Sequence, residues 1–419
     1  MADDEVQQNL IILAALLAGS QEANQLRIDH RNLHRMYLCR PQLLPNPRKD
    51  TAWQRLYLSE NDRAYITTMG FDVKTFDYIV THGFGQRWLA GPINRTDSSN
   101  SHGAPRPNAR SLDTWGALGL ILHYLNSTMR EITLQEVFAL IPSTVSRYIT
   151  HGLPILLQTL RNMPDASIRW PEHLEEFQAN SDLIVERHPA LSGAFGSIDG
   201  LNLPVQTSAD EDTENATYNG WKADHFISSV LVFSPQGLII SANINAPGSW
   251  HDSRVALPIY RQLEEDTPDG FYLVADTAFP RGARNIQDRI QAPLKSGQRF
   301  TGTAEQIEAQ LEYNRQLLSF RQTAEWGNRA IQGSFGRLRV PLEADNANAR
   351  GDLIEICVRL HNLRTRRVGV NQIAAVYIRQ WTQTEEDILV WETFSDMHFK
   401  DQREKDRVAR FHISAVIDE

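Results

Sequence analysis

A carboxylate in the middle of an apolar strand is the feature of this sequence that points most clearly to chemistry. Asp199 lies inside the short apolar segment 196–205. An isolated charged acid loses its hydration there, so Asp199 must be paired with a cation or bind a metal ion. A second acid, Asp276, directly follows the apolar segment 271–275. Because open α/β sheets bind their ligands at the carboxyl ends of strands, Asp276 is a candidate ligand as well.

A third acid, Glu325, lies on a helix predicted over residues 316–340, with Arg321 and Arg329 one turn away on either side. One interpretation is an exposed Arg-Glu-Arg ladder, in which each pair contributes a few tenths of a kcal/mol. The other is a metal ligand at the edge of a basic groove. Residues 277–340 carry ten basic and five acidic residues, a balance of +5 in a chain whose net charge is -9. A basic surface beside carboxylates is what a phosphodiester substrate requires.

A second cluster of polar residues follows Pro247 and allows two interpretations. Ser249 followed by Asp252 matches a capping box, which gives both residues a structural role at a helix start. His251 and Asp252 could instead assist catalysis, or serve an unrelated metal hydrolase. In that hydrolase, removal of His251 abolishes metal binding and Glu325 is dispensable.

Strands and helices must bring these residues together. Hydrophobic patterning predicts strands around Asp199 and at residues 225–233, 238–244 and 271–275, with a polar loop at 207–217 and helices at 255–263 and 353–363. Short connections make the first three strands an antiparallel meander. The order of strands, helices and acids is that of an RNase H-like fold, an α/β class with a mixed sheet flanked by helices. In that fold three carboxylates converge on one sheet edge and hold two divalent ions.

The rest of the chain is predicted to be mainly helical and free of membrane segments. The apolar run at residues 10–17 is too short to span a bilayer and predicts a buried helix. Cys39 and Cys357 have no Cys or His neighbours, which argues against a disulfide framework or a zinc ribbon and favours a reducing compartment. The predicted regions are a helical region 1–93, a linker 94–110, a helical region 111–190, a catalytic domain 191–366 and a charged extension 367–419.

The helical region 111–190 contains a candidate helix-turn-helix. Two helices are predicted to meet at a tight turn before Pro142, with Ser143, Thr144, Ser146 and Arg147 exposed at the start of the second. Hydroxyls and an arginine at a helix N-terminus suit phosphate binding. A plain pair of packed helices gives the same pattern.

Several motifs, in order, resemble the DDE domain of PIF/Harbinger transposases over roughly residues 111–366, with a fungal-like Glu-Trp context at Glu325. Leu360-His-Asn-Leu363 matches the closing helix of that family. The other matching segments are Ser-Ile-Asp-Gly (197–200), Pro-Gly-Ser-Trp-His-Asp-Ser-Arg (247–254), Leu-Val-Ala-Asp-Thr-Ala-Phe-Pro (273–280), Ala-Glu-Trp-Gly (324–327) and Gly-Ser-Phe-Gly-Arg-Leu-Arg (333–339).

The resemblance implies a catalytic and metal-binding triad of Asp199, Asp276 and Glu325, although many members carry the glutamate nearer the Phe-Gly pair, where this chain has Gln332. It implies two Mg²⁺ or Mn²⁺ ions, cleavage of DNA at transposon ends, and attack of the freed 3′-hydroxyl on target DNA. Oxygen-only ligands suit those ions.

The resemblance also implies partners and a location. We expect DNA, a Myb-like DNA-binding protein and a second copy of the chain as partners, and nuclear action with a cytoplasmic pool. Residues 364–367 are the one basic cluster that suggests nuclear import. The alternative function is a captured transposase kept as a DNA-binding or partner-binding protein. Candidate contacts to DNA phosphate are Arg147, Arg281, Arg284 and Arg329.

Overall fold

A computed structural model describes residues 2–34, 46, 49–93, 104–279, 286, 288–294 and 301–378. Its sheet is mixed and is built from the strands that the patterning predicts. The described strands are β1 (Ala194–Pro204), β2 (Tyr218–Asn219), β3 (Asp224–Phe233), β4 (Ile239–Pro247), β5 (Tyr272–Ala275) and β6 (Ile290–Gln291).

The strands run in the order β4-β3-β1-β5-β6, with the short β2 forming a hairpin with β3. Strands β1, β3 and β4 are antiparallel neighbours, which confirms the predicted meander. Strand β5 returns parallel to β1, and β6 is parallel to β5. This mixed sheet is consistent with an RNase H-like domain.

Helices precede the sheet, connect its strands and follow it. Before the sheet lie α1 (Ala2–Leu33), α2 (Ala52–Ser59), α3 (Asp62–Met69), α4 (Val73–Ile79), α5 (Gly85–Ala90), α6 (Thr114–Asn126), α7 (Glu131–Phe138), α8 (Pro142–Arg161) and α9 (Leu174–Val185). From β1 onward lie α10 (Glu211–Thr217), α11 (Asp252–Val255), α12 (Leu257–Glu265), α13 (Ala304–Ser334), α14 (Ala347–Arg367) and α15 (Gln372–Tyr377).

Both faces of the sheet are covered, because successive side chains of a strand point to opposite sides. Val230 and Val232 of β3 join a core with α9, α11 and α12. Leu231 and Phe233 point the other way and join a larger core with α13 and α14. Asp199 and Leu201 are two residues apart on β1, so their side chains point to the same face of the sheet. The Leu201 side chain belongs to this larger core. The Asp199 carboxylate is therefore on the side of the sheet that α13 covers.

The larger core also reaches the helices that precede the sheet. Trp53, Trp88 and Leu118 belong to the same cluster of buried side chains as Phe233 and Leu360. The helical regions and the sheet thus share one apolar interior, although the sequence suggested separate units. The division at residues 93, 110, 190 and 366 stays a prediction.

Helix α1 differs from its prediction. The apolar side chains at residues 10–13, 16 and 17 are 55% to 66% exposed, so the expectation that they pack into a core is wrong. The apolar segment therefore predicts the helix correctly but not the exposure of its apolar side chains. Among the helices of the described residues, none combines the length and apolar content needed to cross a bilayer.

Other elements differ in their boundaries. The predicted polar loop at 207–217 contains α10, because Asp210 caps the helix by accepting from the Thr213 N–H. Helix α13 starts at Ala304 and not at 316, since Thr303 and Gln306 form a capping box there. It ends at Ser334, before a 3₁₀ turn at Gly336–Arg339.

The helix pair proposed as a helix-turn-helix is present, but its second helix is long and packed. Helix α8 extends over 20 residues and contacts α6, α7 and α14. Thr144 is buried, and the Arg147 guanidinium donates to the Ser143 carbonyl at 2.7 Å and to the Thr144 hydroxyl at 3.4 Å. Contact of this helix with DNA stays a prediction.

Candidate active site

The two aspartates lie side by side because of strand register. Ile198 of β1 pairs in parallel with Ala275 of β5. The next residue in each chain segment is an aspartate: Asp199 within β1 and Asp276 directly after the end of β5. Neighbouring strands lie about 4.8 Å apart, so the two carboxylates project from adjacent backbone positions. This is the edge that the sequence predicted for a cation site.

Asp199 is held in a partly apolar environment that opposes its charge. The pKa of Asp199 is raised to about 7, chiefly by burial and to a lesser extent by the nearby carboxylates of Glu325 and Asp276, while a hydrogen bond from the Gly200 N–H and the charge of Arg321 act in the opposite direction. Without a bound metal ion, the carboxyl therefore keeps its proton to a higher pH than an ordinary aspartate does. A bound cation would favour its charged form.

Helix α13 is fixed against β1 by two close contacts. The hydroxyl groups of Ser197 and Thr323 are 2.7 Å apart and join the strand to the helix. Gly327 lies against the Phe233 ring, where an added Cβ would come within 2.4 Å of a ring carbon. Only glycine permits this approach, which brings the next turn of the helix to Asp199.

Asn328 makes the direct link between α13 and Asp199. Its Nδ2 donates to Asp199 Oδ2 at 3.1 Å and to the Gly200 carbonyl at 3.2 Å. Asn328 lies three residues after Glu325, and residues at that spacing share a helix face. Glu325 is thereby turned toward the two aspartates.

Arg321 joins the second and third acids. Its guanidinium lies 3.0 Å from Glu325 Oε1 and 3.5 Å from Asp276 Oδ2. The predicted ion pair between Arg321 and Glu325 is thus present. Arg321 also pairs with Asp276, whereas the predicted pair between Glu325 and Arg329 is not seen among the described residues. Arg321 supplies a cation at the acids.

The donor chemistry fits a divalent ion that prefers oxygen. Asn328 Oδ1 is buried beside Asp199 and accepts no hydrogen bond within the described residues. A buried acceptor without a donor is costly, and a cation would satisfy it. No three acidic, His or Cys side chains among the described residues are already arranged as a metal site. Arg321, which lies between two of the acids, gives a physical reason.

Asp252 approaches the same edge, whereas His251 does not join it. A Cβ added to Gly200 would come within 2.5 Å of Asp252 Oδ2, so the glycine at this position leaves room for the Asp252 carboxylate. Burial raises the pKa of Asp252, as does the charge of Asp276, while His251 and Lys222 lower it. The predicted cap at Ser249 is wrong, because α11 begins after His251, whose Nδ1 accepts from the Ser253 N–H at 3.3 Å.

The β2–β3 hairpin displays an aromatic and a basic side chain beside this edge. Asn219 Oδ1 accepts from the backbone N–H groups of Trp221 and Lys222, both at 3.1 Å. Its Nδ2 donates to the Gly248 carbonyl at 2.8 Å, just before Asp252 in the chain. The turn is therefore braced, yet the Trp221 side chain is 95% exposed.

The predicted phosphate-binding arginines have different outcomes. Arg281 and Arg284 lie outside the described residues. Arg329 is exposed and makes no ion pair within the described ranges. The basic cluster at 364–367 is engaged in the fold. The Arg366 guanidinium donates to the Asp165 and Ser167 carbonyls, and that of Arg367 pairs with Asp165 Oδ2 at 3.0 Å. That engagement gives Arg366 and Arg367 a structural role.

Three functional candidates at this edge were not predicted as such from the sequence: Asn328, Lys222 and Trp221. The spacing of Asn328 from Glu325 was a usable signal, because residues three apart share a helix face. Nothing in the local pattern of residues 218–225 indicated a braced hairpin beside the acids. That position follows from the pairing of β2 with β3.

Comparison with known proteins supports the broad chemistry. Residues 198–362 match the sequence profile of the DDE superfamily endonuclease family. The matched segment contains Asp199, Asp276 and Glu325 but spans less than half of the chain. It supports a relationship to the DDE transposase superfamily and a nuclease-type or transposase-type function. No curated protein and no solved structure matches the chain.

Proposed function

We propose that this protein is a metal-dependent DNA endonuclease and transposase of the DDE type, of the PIF/Harbinger kind. It hydrolyses phosphodiester bonds at transposon ends and joins the 3′-hydroxyl ends to target DNA. The observation that carries the proposal is the edge where Asp199 and Asp276 are register neighbours and α13 brings in Glu325. The match of residues 198–362 to the DDE endonuclease family supports the same reaction.

Asp199, Asp276 and Glu325 are the residues that would hold Mg²⁺ or Mn²⁺, with Asn328 Oδ1 close by. DDE endonuclease domains generally use divalent metals. When bound, two such ions activate a water or 3′-hydroxyl and stabilise the leaving oxygen. Asn328 orients the Asp199 carboxylate through its 3.1 Å hydrogen bond. Loss of such a supporting contact typically lowers metal affinity or activity by roughly 10- to 100-fold.

The hairpin and the acids together suit DNA and not a small substrate. Lys222 lies close enough for its charge to act on Asp252, and its Nζ is 5.0 Å from the centre of the Phe226 ring. An ammonium group there can neutralise a backbone phosphate near the acids. The exposed Trp221 ring offers a face on which an unpaired base can stack. Both are contacts that a nucleic-acid strand makes.

Other features of the proposal rest on the family resemblance. A Myb-like protein would supply part of the DNA recognition, the transposase would act as a homo-oligomer, and it would work in the nucleus. Arg147, Arg281, Arg284 and Arg329 remain proposed phosphate contacts. His251 remains a proposed auxiliary residue, and Asp252 is better placed for that role because it lies beside Gly200.

A second function is a captured transposase that binds DNA or a partner without cleaving. The observation that favours it is the Arg321 guanidinium, which already balances Asp276 and Glu325. A protein that holds its acids in this way can be stable without metal. The two functions differ in turnover, so a cleavage assay separates them.

The deciding experiment measures cleavage of supercoiled and terminal-repeat DNA with Mg²⁺ or Mn²⁺. Asp199→Asn, Asp276→Asn and Glu325→Gln should each lose more than about a hundredfold in rate, since removing a ligand costs more than disturbing its support. Glu312→Gln is the matched control, because Glu312 is an exposed acid of the same helix that pairs with Arg315. It should keep full activity.

Equal cleavage by the control and the three acid variants would reject the proposed active site. DNA binding without cleavage by the wild-type protein, across both metals, would favour the captured transposase. Loss of metal binding in His251→Ala with full activity in Glu325→Gln would indicate the unrelated hydrolase.

A further inference from the structure

A cavity of about 590 Å³ lies between α13, α14 and α15, outside the edge that holds the acids. Trp326 and Arg329 of α13, Arg364 of α14, and Asn371 with Val376 at α15 line it, among others. Its volume is in the range of small-molecule sites, roughly 300 to 1,000 Å³. Its lining combines apolar side chains with two arginines.

The arginines of the cavity lack a balancing acid among the described lining residues. The described lining contains two arginines and no carboxylate. Arg364 is partly buried, and its Nη1 donates to the Ser334 hydroxyl at 2.5 Å. Its Nε is buried and makes no hydrogen bond within the described residues. Burial accordingly lowers the pKa of Arg364. A partly buried guanidinium without an anion is energetically costly.

Arg329 is the second cation of the cavity and is free to bind. Five other arginines of the segment 277–340 are described, and all five have protein partners: Arg289, Arg315, Arg321, Arg337 and Arg339. Arg329 is exposed and has no such partner in the described part of the chain. Two guanidinium groups that line one cavity can both donate hydrogen bonds to a phosphate.

The cavity is close to the acids along α13. Arg329 follows Glu325 by four residues, which is about 6 Å along a helix axis. Trp326, the residue after Glu325, lines the cavity. A strand of DNA held at the acids therefore passes the mouth of the cavity within about one turn of helix.

We infer that this cavity binds a phosphate group, held by Arg364 and Arg329 with the Ser334 hydroxyl, and that the phosphate belongs to a DNA strand extending from the acids. The apolar wall of Trp326 and Val376 leaves room for the attached sugar or base. The DNA source of the phosphate rests on the proposed function. The phosphate chemistry does not, because a free phosphate or nucleotide would meet the same two arginines.

The first arm of the test uses no DNA and no divalent metal. Binding of inorganic phosphate and of deoxythymidine 5′-monophosphate to the full chain is measured by calorimetry and by the shift in melting temperature. Arg364→Gln and Arg329→Gln should each weaken binding about tenfold or more, as expected for loss of a charged hydrogen bond. Arg315→Gln removes an equal charge from an exposed position of α13 and should change nothing.

The second arm uses DNA in an Asp199→Asn background, so that no strand is cut. The logarithm of the DNA binding constant falls with the logarithm of salt concentration by roughly 0.7 to 0.9 per phosphate contact. Arg364→Gln and Arg329→Gln should each reduce this slope by about one contact, and Arg315→Gln should leave it unchanged. Arg329 is exposed, so its variant keeps the test valid even if Arg364→Gln folds poorly.

The two arms separate the outcomes. Loss in both arms supports a DNA phosphate in the cavity. Loss in the first arm alone supports the phosphate site but assigns it to a free phosphate or nucleotide, and it holds even if the protein neither binds nor cuts DNA. If phosphate and the monophosphate do not bind the wild-type chain, and both salt slopes stay unchanged, the inference is wrong.

Discussion

Asp199 combines a structural cost with a proposed catalytic role at a single residue. Burial and two neighbouring acids raise its pKa to about 7, whereas the pKa of an ordinary aspartate is roughly 4. The folded chain therefore holds the Asp199 proton through a pH range in which the unfolded chain has released it. In metal-free buffer the stability of the protein should fall as pH rises through this range.

Asp199→Asn tests this cost directly, because asparagine has no proton to release. At pH 8 without metal, the variant should have a higher free energy of unfolding than the wild type, by up to roughly 4 kcal/mol. The difference should shrink as the pH falls and approach zero only below about pH 4, where the aspartate becomes protonated in the unfolded chain as well. Urea unfolding at pH 4.5, 6 and 8 in a chelator measures it. A difference that is the same at all three pH values would contradict the expectation.

Asn328 is predicted to support the metal through Asp199. Asn328→Ala removes the 3.1 Å hydrogen bond to Asp199 Oδ2 and the buried Oδ1 acceptor. Cleavage should fall roughly 10- to 100-fold, and the Mg²⁺ concentration for half-maximal rate should rise. A magnesium titration of the cleavage rate measures both, with Gln322→Ala on the same helix for comparison. An unchanged magnesium dependence would show that Asn328 only packs.

At the scale of elements, the contact of α13 with the sheet decides whether Glu325 reaches the aspartates. Gly327→Ala adds a methyl group that would come within 2.4 Å of the Phe233 ring. The helix must shift, so we expect a loss of about 1 to 3 kcal/mol in stability and a drop in cleavage. Urea unfolding and the cleavage assay measure the two effects.

Gly333→Ala is the matched control on the same helix. Its added methyl group meets only the Arg339 side chain, at 3.6 Å, which is an ordinary contact. Alanine favours helix over glycine by up to about 1 kcal/mol, so this variant should be as stable as the wild type or more so. Equal effects of the two substitutions would mean that close packing at Gly327 does not position the helix.

The β2–β3 hairpin leads to a prediction about DNA affinity. Trp221 is 95% exposed, so Trp221→Ala should leave the melting temperature unchanged. If its ring stacks on a base, the dissociation constant for DNA with an unpaired base at the cut site should rise roughly 5- to 150-fold. Trp221→Phe should restore most of the affinity, and Leu58→Ala, at another exposed apolar residue, should have no effect. Fluorescence anisotropy with paired and unpaired DNA distinguishes these cases.

At the scale of the whole molecule, the shared core predicts that the sheet does not fold alone. Trp53 and Trp88 of the early helices belong to the same buried cluster as Phe233 and Leu360. A fragment of residues 191–366 would expose that side of the core to water. We expect it to lack the cooperative melting transition expected of the full chain, as followed by near-ultraviolet circular dichroism. A fragment that melts like the full chain would support the predicted boundary at residue 190.

Local chemistry explains which parts of the structure the sequence could reveal. Alternating apolar residues predicted the strands that hold Asp199 and precede Asp276, because side-chain alternation is a local property of a strand. Capping chemistry was harder to use. The capping box of Thr303 and Gln306 starts α13 earlier than the predicted residue 316, and His251 provides the cap that the pattern predicts at Ser249.

The sequence by itself determined that acids follow or interrupt apolar strands, and that their order suits a mixed α/β sheet. Only the tertiary structure decided which groups meet. Arg321 reaches Asp276 as well as Glu325, Asn328 reaches Asp199, and two arginines line the α13–α14 cavity with no acid among its described lining residues. These contacts join residues 45 to 129 positions apart or lie between helices, and no local pattern encodes such distances. Strand register and the close approach at Gly327 set them.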